Sequence, residues 1–94
     1  MLRITIAETL SEQRWTLEGQ LINPWVLELK SCWTKAETGR RDRKGVVDLT
    51  GVTYIDKSGE KVLDELCKGG AEFIATGIYI RHVVQEIENK RSNR

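Results

Sequence analysis

The chain has little of the chemistry that marks most catalytic or ligand-holding proteins. Among its 94 residues it has one histidine, two cysteines and one proline. The histidine, His82, falls on the polar face of a helix with Glu86 one turn on, and nothing else in the sequence assembles a metal or acid–base site around it. The cysteines, Cys32 and Cys67, both fall on apolar helix faces, so they read as small buried hydrophobes and not as a disulfide or metal pair. Cys67 and His82 are the nominees for nucleophile and base, but they lie on differently oriented helices with no third partner. No glycine-rich phosphate loop of the Walker or dinucleotide type is present. The expectation is a protein that is not an enzyme and takes no cofactor or metal.

Charge of one sign is also lacking. Fifteen basic residues stand against fourteen acidic ones, a formal charge of +1. Without a global field the chain has no general attraction for nucleic acid or an anionic membrane, and any partner is recognised locally. No stretch near the N-terminus resembles a signal peptide, and no apolar run approaches the length of a membrane span. The expected location is the cytoplasm, without membrane insertion. The length suits one domain over residues 1–94, and no repeat or low-complexity segment interrupts it.

What the sequence does have is alternation of two hydrophobic periods. Leu2, Ile4 and Ile6 alternate with Arg3 and Thr5 over residues 2–7, the mark of a half-buried strand. Trp15 and Leu17 continue that period after a polar break at Glu8–Gln13, short enough for a hairpin. Gly19 to Ile22 make the link onward. Asn23-Pro24 is a helix start signal, with an N-cap residue and a proline at the first helical position. This helix is expected to run to about Thr38 and end at Gly39, burying Trp25, Leu29, Cys32, Trp33 and Ala36 with Val26 at the border. Leu27 points nearly opposite, so it is either covered by something or an ordinary exposed leucine. Arg40 to Lys44 contains four basic residues around Asp42; lacking interleaved aromatics, it reads as a solvated loop and not a phosphate patch.

Residues 45–59 organise the rest. Val46, Val47 and Leu49 make an apolar, β-branched run of the kind found in parallel strands covered on both faces. Gly51 to Ile55 form a link that tucks Val52 and Ile55 inward. A second helix, from about Ser58 to Lys68, buries Val62, Leu63, Leu66 and Cys67. Wheel arithmetic puts Gly59 in the middle of its buried face, where a small residue lets the first turn approach the sheet, and puts Ser58 off that face toward solvent. Lys61 with Glu65 and Asp64 with Lys68 have pairing distance along the helix. Gly69-Gly70 ends it, Ala71 to Ala75 make a short strand, and Ile80, Val83, Val84 and Ile87 mark a third helix. From Asn89 to Arg94 the polar chain is expected to fray. The order is β-β-α-β-α-β-α: an α/β fold with an open, mixed, mostly parallel sheet, helices packed on it and the first strand antiparallel near an edge.

The stretch Val46-Val47-Asp48-Leu49-Thr50-Gly51-Val52-Thr53-Tyr54-Ile55-Asp56-Lys57-Ser58-Gly59, followed by Val62-Leu63, resembles the central motif of STAS domains, typified by bacterial anti-sigma factor antagonists. The resemblance covers roughly residues 2–89 in element order. It implies a phosphorylation switch, in which a serine at the start of the second helix is modified by a partner serine kinase that is itself the anti-sigma factor. Ser58 occupies that place, and Asp56, Lys57, Gly59, Glu60 and Lys61 flank it on the surface such a partner would cover. A phosphate there adds about −1.5 to −2 charges at a helix terminus that favours anions. From the local pattern alone, Asp56 or Ser58 is a helix cap. Lys57, Glu60 and Lys61 depart from the family pattern and favour a second reading: a STAS adaptor, independent of phosphorylation, that docks on a transporter ATPase or a signalling assembly.

Overall fold

A computed structural model describes residues 1–40 and 42–92. Four strands and three α-helices follow the order read from the two periods: β1 (Leu2–Glu8), β2 (Glu12–Leu21), α1 (Trp25–Lys35), β3 (Lys44–Ile55), α2 (Lys57–Lys68), β4 (Glu72–Ile74) and α3 (Ile78–Ser92). The strands lie in the sheet in chain order, β1-β2-β3-β4. β1 pairs antiparallel with β2, whereas β2–β3 and β3–β4 are parallel. The α/β class, the mixed open sheet and the antiparallel edge strand are therefore as the sequence predicts.

Residues that pair across strands share a face of the sheet. One face carries Ile4, Leu17, Trp15, Val47 and Phe73, and it is here that the core forms. Trp15, Leu17, Leu21, Val47, Leu49 and Leu63 are almost completely buried. α2 lies between α1 and α3 and touches both, and residues of all three helices join one apolar cluster with the strands. Trp33 reaches from α1 to Trp15, the rings 5.2 Å apart. The opposite face is polar: Arg3 pairs with Glu18, and Arg14 with Glu12 and Asp48. The expectation that β3 is covered on both faces is thus corrected. Val46, on the polar face, is still buried, with Arg14 and Glu72 as its cross-strand neighbours.

Several boundaries move for identifiable reasons. The hairpin break is shorter than predicted, because the Thr9 hydroxyl accepts from the Glu12 N–H at 3.1 Å and closes the turn. Gln13, assigned to that break, is instead buried in β2, where its Oε1 accepts from Trp15 Nε1 at 2.8 Å and from Arg40 at 3.3 Å. Gly19 to Leu21 belong to β2 and Gly51 to Ile55 to β3, since the parallel ladder continues to Leu21 opposite Ile55 through two register shifts. Val52 and Ile55 are buried, although they sit in a strand and not in a link. α1 begins after Pro24 and ends at Lys35, short of the predicted Thr38, followed by a 3₁₀ turn at Thr38–Arg40. Asn23 does not cap it, for the residue before the helix is Pro24 and no side chain bonds the first turn. Its buried face centres on Val26, Leu29 and Trp33, leaving Trp25 half-buried. Leu27 is 65% exposed, with no other part of the described chain covering it. Glu65 pairs with Lys30 of α1 at 3.2 Å, in place of Lys61. α3 runs on to Ser92, taking in residues 89–92 of the polar tail, where no proline or glycine stops it. Residues 93 and 94 of the tail expected to fray lie outside the described residues.

The basic segment after α1 is more than a solvated loop. Arg40 lies 3.7 Å from the centre of the Trp33 ring and donates to the Trp33 carbonyl. Arg43 holds the hairpin through the Thr9 carbonyl and Glu8, and Lys44 opens β3 and pairs with Glu72. The fourth basic residue, Arg41, lies outside the described residues.

Candidate functional site

β3 delivers its carboxyl end directly into α2, and the junction is built on three residues. Asp56 is in extended conformation, the backbone an N-cap requires. Its Oδ1 accepts from the Gly59 N–H at 2.8 Å and from the Ser58 hydroxyl at 2.6 Å. Its Oδ2 accepts from the Asn23 N–H at 3.4 Å, tying the β2–α1 link to the same point. The Ser58 hydroxyl, followed by the Gly59 and Asn23 amides, holds the Asp56 carboxyl below its ordinary value against a smaller opposing effect of burial. Asp56, not Ser58, is therefore the cap.

Gly59 is buried where the first turn of α2 meets the sheet. A Cβ there would stand 2.3 Å from the Leu21 carbonyl oxygen and 2.9 Å from Ile55 Cγ2. Only glycine allows that approach, and it fixes how α2 presents its entrance. Ser58 is half-buried, with its hydroxyl turned to Asp56 and not to open solvent. Lys57, Glu60 and Lys61 are exposed. They run down one flank of α2 and, with Asp64, Ile87 and Lys90, line a cleft of about 260 Å³ between α2 and α3. The structure thus gathers Asp56, Ser58 and Gly59 into one hydrogen-bonded unit and leaves the three charged neighbours beside it.

Two residues of this end of the sheet had no signal in the sequence. The Tyr79 hydroxyl, in the first turn of α3, accepts from the Ile55 N–H at 3.1 Å and donates to the Ile55 carbonyl at 2.9 Å. It satisfies both backbone groups of the last residue of β3, where the short β4 no longer reaches. Tyr54 stacks against Tyr79 with ring centres 6.3 Å apart. The contact spans 24 positions, beyond the reach of any local pattern. His82 and Glu86 are exposed and 3.6 Å apart.

No family model matches the chain, and no curated protein matches it either. Its fold is nevertheless found in solved structures. The unphosphorylated anti-sigma factor antagonist SpoIIAA superposes with a TM-score of 0.70 at 14% identity, over 88% of this chain and 82% of that one. A STAS domain antisigma-factor antagonist from Rhodobacter sphaeroides gives 0.60 at 21% identity, over 83% and 88%. A protein from Shewanella loihica with a SpoIIAA-like fold gives 0.57 at 13% identity, over 81% and 67%. At these identities it is the fold that is established: an α/β sheet of the STAS type, as in SpoIIAA. No helix among the described residues is long and apolar enough to cross a membrane.

Proposed function

We propose that this protein is an anti-sigma factor antagonist-like regulator, not an enzyme, that binds a partner serine kinase in the cytoplasm and is switched by phosphorylation of Ser58. The observation that carries the reading is the bond from the Ser58 hydroxyl to the Asp56 cap in the first turn of α2, on the fold shared with SpoIIAA. Esterifying Ser58 removes the proton donated to Asp56 and sets a group of about −1.5 to −2 charges beside a carboxylate. The two anions cannot share the Gly59 amide, so Asp56 gives up its cap or the phosphate turns outward. Either way the surface at the start of α2 changes sign and shape, while Gly59 and the core beneath stay as they are. Asp56, Lys57, Gly59, Glu60 and Lys61 complete the surface that the partner covers.

A second reading is a phosphorylation-independent adaptor that docks on a transporter ATPase or a signalling assembly. It is favoured by the exposed charges of Lys57, Glu60 and Lys61. The two separate in one experiment. Incubation with ATP and a partner serine kinase of the anti-sigma type adds about 80 Da, one phosphoryl group, to the switch protein and nothing to Ser58→Ala. A chain that stays unlabelled, and whose Ser58→Asp variant binds the partner as the wild type does, is the adaptor.

A further inference from the structure

β1 is one of the two outer strands of the sheet, and its outward edge is self-complementary. At the two ends of the β1–β2 ladder, Thr9 N–H donates to the Glu12 carbonyl at 2.9 Å and Gln20 N–H to the Met1 carbonyl at 3.1 Å. Both bonds fall at odd-numbered positions on the β1 side. Antiparallel bonding alternates residue by residue, so Arg3, Thr5 and Ala7 face β2, whereas the N–H and C=O groups of Leu2, Ile4, Ile6 and Glu8 point out of the sheet. Nothing among the described residues blunts this edge. The strand has no proline, its pairing with β2 has no register shift, and its two charged residues, Arg3 and Glu8, lie toward its ends. Ile6 is 44% exposed on the apolar side. A regular, largely apolar edge of seven residues is a template for another strand.

The geometry points to a second copy of this chain as that strand, paired antiparallel about a two-fold axis through Thr5. In this register Ile4 of one copy faces Ile6 of the other, twice over, and Leu2 faces Glu8. All the outward N–H and C=O groups of Leu2, Ile4, Ile6 and Glu8 find partners. A two-fold axis moved to Ile4 leaves Glu8 unpaired, and one moved to Ile6 leaves Leu2 unpaired. On the polar face Arg3 meets Ala7 and Thr5 meets Thr5, so no like charges oppose. The two sheets become one continuous sheet, and both α2 entrances stay free because they lie at strand ends and not at this edge. The inference does not depend on the role of Ser58.

Sedimentation velocity of the full chain from about 10 μM to about 1 mM is expected to show a monomer–dimer equilibrium. Ile6→Pro removes an outward N–H while sparing the ladder to β2, as edge strands tolerate, and is expected to raise the dissociation constant at least about tenfold. Ile6→Lys, which keeps the backbone intact, is expected to do the same; it decides the matter if the proline variant does not fold. Thr5→Cys is expected to form an interchain disulfide, the two sulfur-bearing residues being directly opposed at roughly 4.5–5.5 Å between Cβ atoms. Ala7→Cys is expected to crosslink no more than the wild type with its native Cys32 and Cys67, since its copies lie several residues apart. A monomer at every concentration overturns the inference. So does a dimer indifferent to both Ile6 variants, or equal crosslinking through positions 5 and 7.

Discussion

Alanine at position 59 forces α2 off the sheet. The added methyl meets the Leu21 carbonyl oxygen at 2.3 Å and Ile55 Cγ2 at 2.9 Å, and the first of these is backbone that cannot rotate aside. The Leu21 oxygen also accepts from the Asp56 N–H at 3.3 Å, so moving it disturbs the amide next to the cap. Against this, alanine in place of glycine favours a helix by up to ~1 kcal/mol. Overpacking a tight site costs about 1–3 kcal/mol, and the upper part of that range applies where backbone must move. The net expectation is a loss of about 2 kcal/mol, which for a domain of this size lowers Tm by about 8–16 °C. Thermal unfolding followed by far-UV circular dichroism measures it. Gly77→Ala is the control: no described residue lies within 4 Å of its added Cβ, and its Tm is expected to fall by less than that of Gly59→Ala, the only cost being that alanine is a poorer residue than glycine in front of α3. A Gly59→Ala protein as stable as the wild type refutes the close approach of α2 to β2 and β3.

Other consequences follow from the same bonds. Tyr79→Phe leaves both backbone groups of Ile55 unpaired and is expected to cost about 1–3 kcal/mol, read by urea unfolding; no loss means the phenol is dispensable. The Asp56 carboxyl is held low chiefly by the Ser58 hydroxyl, so in Ser58→Ala its pKa moves up toward the ordinary 3.8, as carboxyl NMR shifts would register; an unmoved titration contradicts the 2.6 Å bond. Burial raises the Asp48 pKa, but the Thr50 amide and hydroxyl, with Arg14, outweigh it and hold the carboxyl below 3.8. A depressed folded pKa means stability that is present above 3.8 and lost as pH falls through the lower folded value. Asp48→Asn is expected to flatten the acid limb of the stability profile below about pH 4, and an unchanged slope would remove Asp48 from that role.

The order of the elements along the chain and most of the helix faces were legible because they rest on periodicity. Leu2 to Ile6 at period two, and Val62, Leu63 and Leu66 at helical spacing, each state locally which face is buried. Gly59 was legible for the same reason, since a glycine in the middle of an apolar helical face implies close packing beneath it. Boundaries were less so: Gln13 reads as turn polarity until Trp15 and Arg40 are known to bond it, and Gly51–Ile55 reads as a link until β2 is seen running alongside. Asn23-Pro24 carried the residue types of a helix start, yet Asn23 gives its N–H to Asp56 across 33 positions. The site divides in the same way. Asp56, Ser58 and Gly59 are neighbours in sequence and were found together, whereas Tyr79 reaches Ile55 only through the fold.

The proposed switch is tested most directly by the affinity of a candidate partner serine kinase for the protein before and after phosphorylation at Ser58, measured by isothermal titration calorimetry. Binding of the unmodified protein, weakened at least about tenfold by the phosphate and insensitive to ATP treatment in Ser58→Ala, is the result the bonded Asp56–Ser58 entrance predicts. Equal affinity for the two forms contradicts it.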